Sequence, residues 1–154
     1  MRILMVCLGN ICRSPTAEAA LREAAAEAEV DVEVDSAGTG AWHVGNAPDE
    51  RMTAAADEVG LCLAGAARQV TSEDLGDHDL VLAMDRENLR DLRALSPPDL
   101  PAGRIRLFRE FDPEGPDEDV PDPYYGGARG FADVVTMTRR TARELVRRID
   151  AGEL

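Results

Sequence analysis

The stretch that most constrains this chain is Arg2-Ile3-Leu4-Met5-Val6-Cys7-Leu8-Gly9-Asn10-Ile11-Cys12-Arg13-Ser14-Pro15-Thr16. An apolar run of strand length ends on a cysteine, a turn containing Gly9 and Asn10 follows, and Arg13-Ser14-Pro15 opens an alanine-rich helical segment. A strand, a tight loop and a helix start aim successive backbone N–H groups at one point, with the positive end of the helix behind them. An anion fits there with little rearrangement. Cys7 stands at the lip of that hole, where the amides, the helix terminus and a guanidinium all favour thiolate over thiol. The expected product is a sulfur nucleophile facing a bound oxyanion.

A nucleotide-binding Walker loop is the obvious competitor. It needs a Gly-Lys-Ser/Thr ending to reach phosphates and magnesium, and the chain contains no lysine. What remains is Cys-x5-Arg followed by Ser, in which Arg13 forks onto two phosphate oxygens while Cys7 attacks phosphorus. A bare Cys-x5-Arg more often means a buried strand-end cysteine beside a surface arginine. Here the strand before it, the Gly-Asn turn within it and the Ser-Pro helix start after it argue for chemistry.

Composition narrows the class. At 154 residues and 44% hydrophobic content, one domain with a real core is expected, residues 1–154. Three cysteines make no disulfide framework, and no leader or long apolar span appears, so a cytoplasmic protein is expected. The net charge of −13 argues against nucleic-acid or anionic-membrane partners. It also opposes an anionic substrate, unless Arg13 and the loop amides dominate the pocket locally.

Along the chain, Pro15 to about Ala28 reads as a helix and Val30–Val34 as a second strand with Ser36 at its end. Strand, crossover helix, strand implies a parallel sheet, whose ligands gather outside the carboxyl ends of the strands. Gly38 to Asn46 is a loop bearing the lone tryptophan, Trp42, with His43 beside it. Pro48–Val59 is a second helix stopped by Gly60, and Thr71-Ser72-Glu73-Asp74 a short helix cap. Cys62 reads as a buried small apolar residue. His78–Met84 gives a third strand with Asp85 just beyond it, where it either orients the catalytic loop or caps the helix Arg86–Leu95. Arg104–Phe108 is a fourth strand, and an amphipathic helix runs from Ala128.

The acidic, proline-rich stretch Asp112–Asp122 reads as a surface loop. Phosphate-ester cleavage needs a proton for the leaving oxygen, and a carboxylic acid near phosphorus supplies it. Asp117, Glu118, Asp119 and Asp122 are the candidates. Asp122 is stiffened by Pro123 and followed by Tyr124-Tyr125; a solvated charge run accounts for the others.

Val6-Cys7-Leu8-Gly9-Asn10-Ile11-Cys12-Arg13-Ser14-Pro15 resembles, nearly residue for residue, the signature loop of the low-molecular-weight protein tyrosine phosphatases. The resemblance extends through Asp35-Ser36-Ala37-Gly38-Thr39, Trp42-His43-Val44-Gly45, Ala67-Arg68-Gln69-Val70, Met84-Asp85 with Asn88, and Asp122-Pro123-Tyr124-Tyr125-Gly126. It covers essentially the whole chain. It implies hydrolysis of phosphotyrosine in protein substrates through a cysteinyl-phosphate intermediate. Cys7 would be the nucleophile, Arg13 and the amides of Leu8, Gly9, Asn10, Ile11, Cys12 and Arg13 the phosphate cradle, and Asp122 the acid and later the base. Asn10, Ser14, Ser36 and Asp85 would support the loop, with Ser14 stabilising the leaving thiolate. Trp42, His43, Tyr124 and Tyr125 would form the substrate pocket, and Tyr125 is either packing or itself a phosphorylation site. No cofactor or metal is expected, and the protein should be a monomer.

The fold class expected is α/β: a three-layer domain with a four-stranded parallel sheet flanked by helices, strand order 2-1-3-4, flavodoxin-like. The sequence departs from the family where many members carry a histidine shortly before the Arg68-Gln69 pair; here the residues are small. A reversible Cys7–Cys12 disulfide sheltering the nucleophile is a further expectation. Three rivals remain. Arsenate reductases of this fold relay oxidation through two further cysteines after the third strand, and Asp79–Leu95 contains none. Protein-arginine phosphatases typically have Thr at the position of Ile11 and lack the paired tyrosines. A phosphate carrier or phosphopeptide-binding module would have little use for Asp122.

Overall fold

A computed structural model describes every residue except Asp117, and the side chains of the others apart from Tyr125 and Ala128. The strands are β1 (Arg2–Cys7), β2 (Glu33–Gly38), β3 (Leu80–Ala83) and β4 (Ile105–Leu107). The helices are α1 (Arg13–Ala28), α2 (Glu50–Asp57), α3 (Ser72–Asp77), α4 (Arg86–Leu95) and α5 (Gly127–Asp150). The strands form one parallel sheet in the order β2-β1-β3-β4, the expected topology.

Parallel sheets are covered on both faces, and β1 shows why its sequence is apolar almost throughout. Ile3, Met5 and Cys7 join the cluster beneath α1 and α5, with Leu21, Phe131 and Leu145. Leu4 and Val6 face the opposite cluster with Leu75, Val81 and Leu92. The period of two therefore sets Cys7 on the α1/α5 face at the carboxyl end of the central strand. The longest helix, α5, lies along α1, and Arg139 ties the two by a forked pair with Glu23 at 2.9 and 2.7 Å. No helix among the described residues is long and apolar enough to cross a membrane.

Helix starts follow local chemistry. Asp49 caps α2 by accepting from Arg51 and Met52 N–H, Thr71 and Asp74 form a reciprocal capping box on α3, and Asp85 caps α4 through Asn88 N–H. α1 begins at Arg13, two residues before the expected start, so Arg13 and Ser14 lie in its first turn. Pro15 is tolerated there because N–H groups of a first turn have no helical acceptor.

The second strand and Cys62 also depart from the sequence reading. The second strand is Glu33–Gly38, not Val30–Val34. Its register pairs Arg2 with Glu33 through Cys7 with Gly38, so Ser36 sits inside the strand opposite Met5. Val30 and Val32 instead pack against the core from the connection before the strand. The alternation in Val30–Val34 reported burial and not ladder position. Cys62 is exposed, in the segment after α2, while neighbouring Leu61 fills the core position.

Candidate active site

The loop between β1 and α1 is shaped by Asn10, whose φ of 57° lies in the left-handed region that asparagine tolerates better than most residues. Its side chain explains the cost. Oδ1 accepts from Arg68 N–H at 3.0 Å, while Nδ2 donates to Ser36 Oγ at 3.0 Å and to Ser14 Oγ at 2.8 Å. Because Ser14 Oγ already accepts from Asn10, its own hydrogen is available to Cys7 Sγ, 3.0 Å away. Asn10 N–H also points at Sγ, at 3.2 Å. Both contacts place positive hydrogen against sulfur, the environment a thiolate needs. Among the described residues, the N–H groups of Leu8, Gly9, Ile11, Cys12 and Arg13 have no protein acceptor, as expected of a cradle for an anion.

Arg13 is only 5% exposed. Its Nη1 donates to Asp85 Oδ2 at 2.6 Å and to the Val120 carbonyl at 3.0 Å. One edge of the guanidinium is thus fixed by protein, leaving the other for oxygens of a ligand. Burial opposes the charge on Arg13, and the nearby Cys7, Asp85 and Asp122 outweigh it and hold the guanidinium above its ordinary pKa. Asp85 performs both tasks between which the sequence could not choose: Oδ2 holds Arg13 and Oδ1 caps α4 at 2.7 Å.

These groups floor a cavity of about 330 Å³ that also brings together Leu8, Trp42, His43, Asp122 and Tyr124. Trp42 is 75% exposed, and its ring lies close over Gly40, where a Cβ would collide with it. His43 is half-buried against Gly9. Asp122 reaches the cavity from the turn before α5, where it caps Pro123–Tyr125 by accepting from Tyr124 N–H at 3.0 Å. Asp119 and Glu118, the rival carboxylates, pair with Arg86 and Arg109. Asp117 and the Tyr125 side chain lie outside the described residues.

Cys12 sits at the start of α1 and lines the same cavity. Burial, then the negative neighbours Asp49, Cys7 and Asp122, push its thiol up to about 12 against a smaller opposing effect of Arg51. Cys12 therefore stays a thiol and does not compete with Cys7.

Three contributors carried no assigned role in the sequence. The Val120 carbonyl and the Arg68 N–H are main-chain groups that no pattern of side chains advertises. Asp49, which donates its N–H to the Ile11 carbonyl at 2.8 Å, was detectable only as an Asp before a helix. At the position lacking a histidine, Asn10 is held by Arg68 N–H, and a cavity of about 140 Å³ lined by Ala64, Gly65, Ala66 and Ala67 opens beside it. Among the described residues, no group of three His, Cys, Asp or Glu is arranged to hold a metal ion.

The chain is similar to known proteins over nearly its whole length. The sequence model of a family described as low molecular weight phosphotyrosine protein phosphatase matches residues 2–153. A low molecular weight protein-tyrosine-phosphatase of Streptomyces coelicolor is 45% identical over 94% of this chain and 91% of its own length. The crystal structure of an Entamoeba histolytica protein tyrosine phosphatase superposes with a TM-score of 0.95 at 34% identity, covering 100% of this chain and 99% of that one. A Drosophila arginine phosphatase superposes at 0.87 with 32% identity, covering 97% and 98%. The fold, the loop and this similarity along nearly every residue agree: the chain belongs to the low molecular weight phosphotyrosine protein phosphatase family.

Proposed function

We propose that the protein hydrolyses phosphotyrosine in protein substrates in two steps through a phosphocysteine. The observation that carries the reading is one cavity holding Cys7 Sγ under a Ser14 hydroxyl, a protein-tethered Arg13 and the Asp122 carboxyl. In the first step Cys7 thiolate attacks phosphorus and the bond to the phenolic oxygen breaks, that oxygen taking the proton of Asp122. Arg13 and the free loop amides hold the equatorial oxygens, where charge is spread in the transition state. In the second step water attacks phosphorus, giving a proton to Asp122, and the P–S bond breaks to release phosphate. The Ser14 hydroxyl, 3.0 Å from Sγ, stabilises the departing thiolate.

Trp42 and Tyr124 form the slot for the phenyl ring, with His43 at its edge and Leu8 at its mouth. Tyr125 is part of this reading by sequence alone. Cys12 is the reversible disulfide partner of Cys7 under peroxide. The protein acts as a monomer in the cytoplasm, a reducing setting in which a free Cys7 persists.

Hydrolysis of 4-nitrophenyl phosphate by wild type, Cys7→Ser and Asp122→Asn across pH tests the mechanism. Turnover by wild type, none by Cys7→Ser, and a rate lowered about 10²–10⁴-fold in Asp122→Asn is expected. Unchanged turnover in Asp122→Asn, or no phosphate trapped on Cys7 in acid-quenched enzyme, would sink it. Parallel assays on phosphotyrosyl and phosphoarginyl peptides decide the leaving group, and a preference for phosphoarginine overturns the assignment to tyrosine.

A further inference from the structure

Tyr124 is 47% exposed on a short turn, a setting in which an aromatic ring has several rotamers open to it. Its hydroxyl nevertheless has a partner 75 residues away in sequence, donating to Asp49 Oδ2 at 3.1 Å. The same carboxylate pairs with Arg51 Nη2 at 3.2 Å. The Arg51 guanidinium then lies over the Tyr124 ring, 4.8 Å from its centroid, and over the Phe131 ring at 4.9 Å. Tyr124 is the partition between the catalytic cavity and a groove of about 540 Å³ between α2 and α5, which Arg51 lines. Asp49 itself is anchored: its N–H holds the Ile11 carbonyl of the catalytic loop, and its Oδ1 caps α2.

We propose that Asp49 is a positioning residue for substrate, bracing the Tyr124 ring through hydroxyl and Arg51 so that it stands as a fixed wall for the aryl group. The inference rests on the aryl-ester reading above. The brace ties wall and cup together, since one residue touches the phosphate loop through its backbone and the aromatic wall through its side chain. Protonation states suit the contact. Burial opposes ionisation of Asp49, but Arg51, the Met52 and Arg51 amides and the Tyr124 hydroxyl hold its carboxyl below the ordinary value. Burial, then the bond to Asp49, raises Tyr124, which stays a phenol and a donor.

The test is a double-mutant cycle on wild type, Asp49→Ser, Tyr124→Phe and the double variant. Serine keeps the cap on α2 but is too short to reach Tyr124. Calorimetric binding of phenylphosphonate, which fills cup and slot, is compared with binding of inorganic phosphate, which fills the cup alone; KM for 4-nitrophenyl phosphate is measured alongside. Each single variant should weaken phenylphosphonate about 3- to 10-fold, the range of one net hydrogen bond. The double variant should be no weaker than the weaker single, with phosphate binding within twofold throughout. Tyr124→Phe, which removes one hydroxyl, carries the same expectation alone. Losses that multiply in the double variant, a parallel loss of phosphate, or variants all within twofold of wild type overturn the brace. If phenylphosphonate follows the expected pattern while wild type turns over no aryl phosphate, the catalytic reading falls and the brace stands.

Discussion

Replacing Asp112 by asparagine removes the charge on which the loop carrying Asp122 is hung. The Asp112 side chain has no solvent exposure. It accepts from Arg140 Nε at 2.7 Å and Nη2 at 2.8 Å, from Arg109 Nε at 2.9 Å and from Glu114 N–H at 2.9 Å. Asparagine keeps one acceptor oxygen and turns an NH₂ toward a guanidinium. Breaking a buried charge pair costs about 3–5 kcal/mol. At about 2–4 °C per kcal/mol for a chain of this size, Tm at pH 7 should fall by about 6–20 °C. The pH dependence has a definite sign. Burial opposes ionisation of Asp112, but Arg140, the Glu114 amide and Arg109 outweigh it and hold the carboxyl far below its ordinary value. A carboxyl lowered in the folded state stabilises fully above its unfolded value, about 3.9, and loses that contribution as pH falls toward the folded one. Thermal melts by circular dichroism should therefore show the full gap between wild type and Asp112→Asn at pH 7 and a closing gap below about pH 4. The damage should reach catalysis, because Arg109 Nη1 also holds the Asp119 carbonyl at 2.9 Å, one residue from the Val120 carbonyl that steadies Arg13. A Tm change under about 3 °C at pH 7, or a gap that stays constant between pH 7 and pH 3, would show that the Asp112 charge does not hold this loop.

Three further perturbations probe the cup. Gly38→Ala would place a Cβ 2.7 Å from the Leu8 carbonyl oxygen and 3.2 Å from Asn10 N, so the catalytic loop has to move; a loss of about 1–3 kcal/mol in urea unfolding with a fall in kcat is expected, and wild-type kinetics would contradict it. Asp85→Asn leaves a cap for α4 but takes the counter-charge from Arg13. A fall of about 10- to 100-fold in kcat/KM, the worth of one charge-assisted hydrogen bond, should appear in steady-state assays, and a change under twofold would count against a guanidinium aimed by Asp85. Asn10→Ala must still adopt the left-handed backbone at about 1–2 kcal/mol while losing three side-chain hydrogen bonds. Its Tm and kcat should fall together, and loss of neither would show that the loop holds its shape unaided.

Much of the site was legible because its chemistry is local. Cys7, Gly9-Asn10, Arg13 and Ser14 lie within eight consecutive residues, and strand, turn and helix start follow from short-range preferences. Asp122 is marked by Pro123 and by the family resemblance, and the fold brings it to the same cavity from more than a hundred residues along the chain. The second strand lies C-terminal to the valine alternation because such alternation also arises where a connection packs on a core, whereas strand register is set by a partner. Cys62 is exposed against expectation because small residue type alone does not separate an exposed position from the buried Leu61 beside it.

The amino-acid order by itself determined an anion-binding turn with a sulfur at its lip, an acid on a stiffened loop, and enough alternating apolar segments for a parallel sheet between helices. The folded chain alone decided that Arg13 is aimed by Asp85 and a Val120 carbonyl, that Asn10 hangs from Arg68 N–H, and that Tyr124 leans on Asp49. Those contacts join residues 58 to 107 positions apart. Local propensity acts over a few residues, while hydrogen-bond partners at that separation are chosen by how the layers pack.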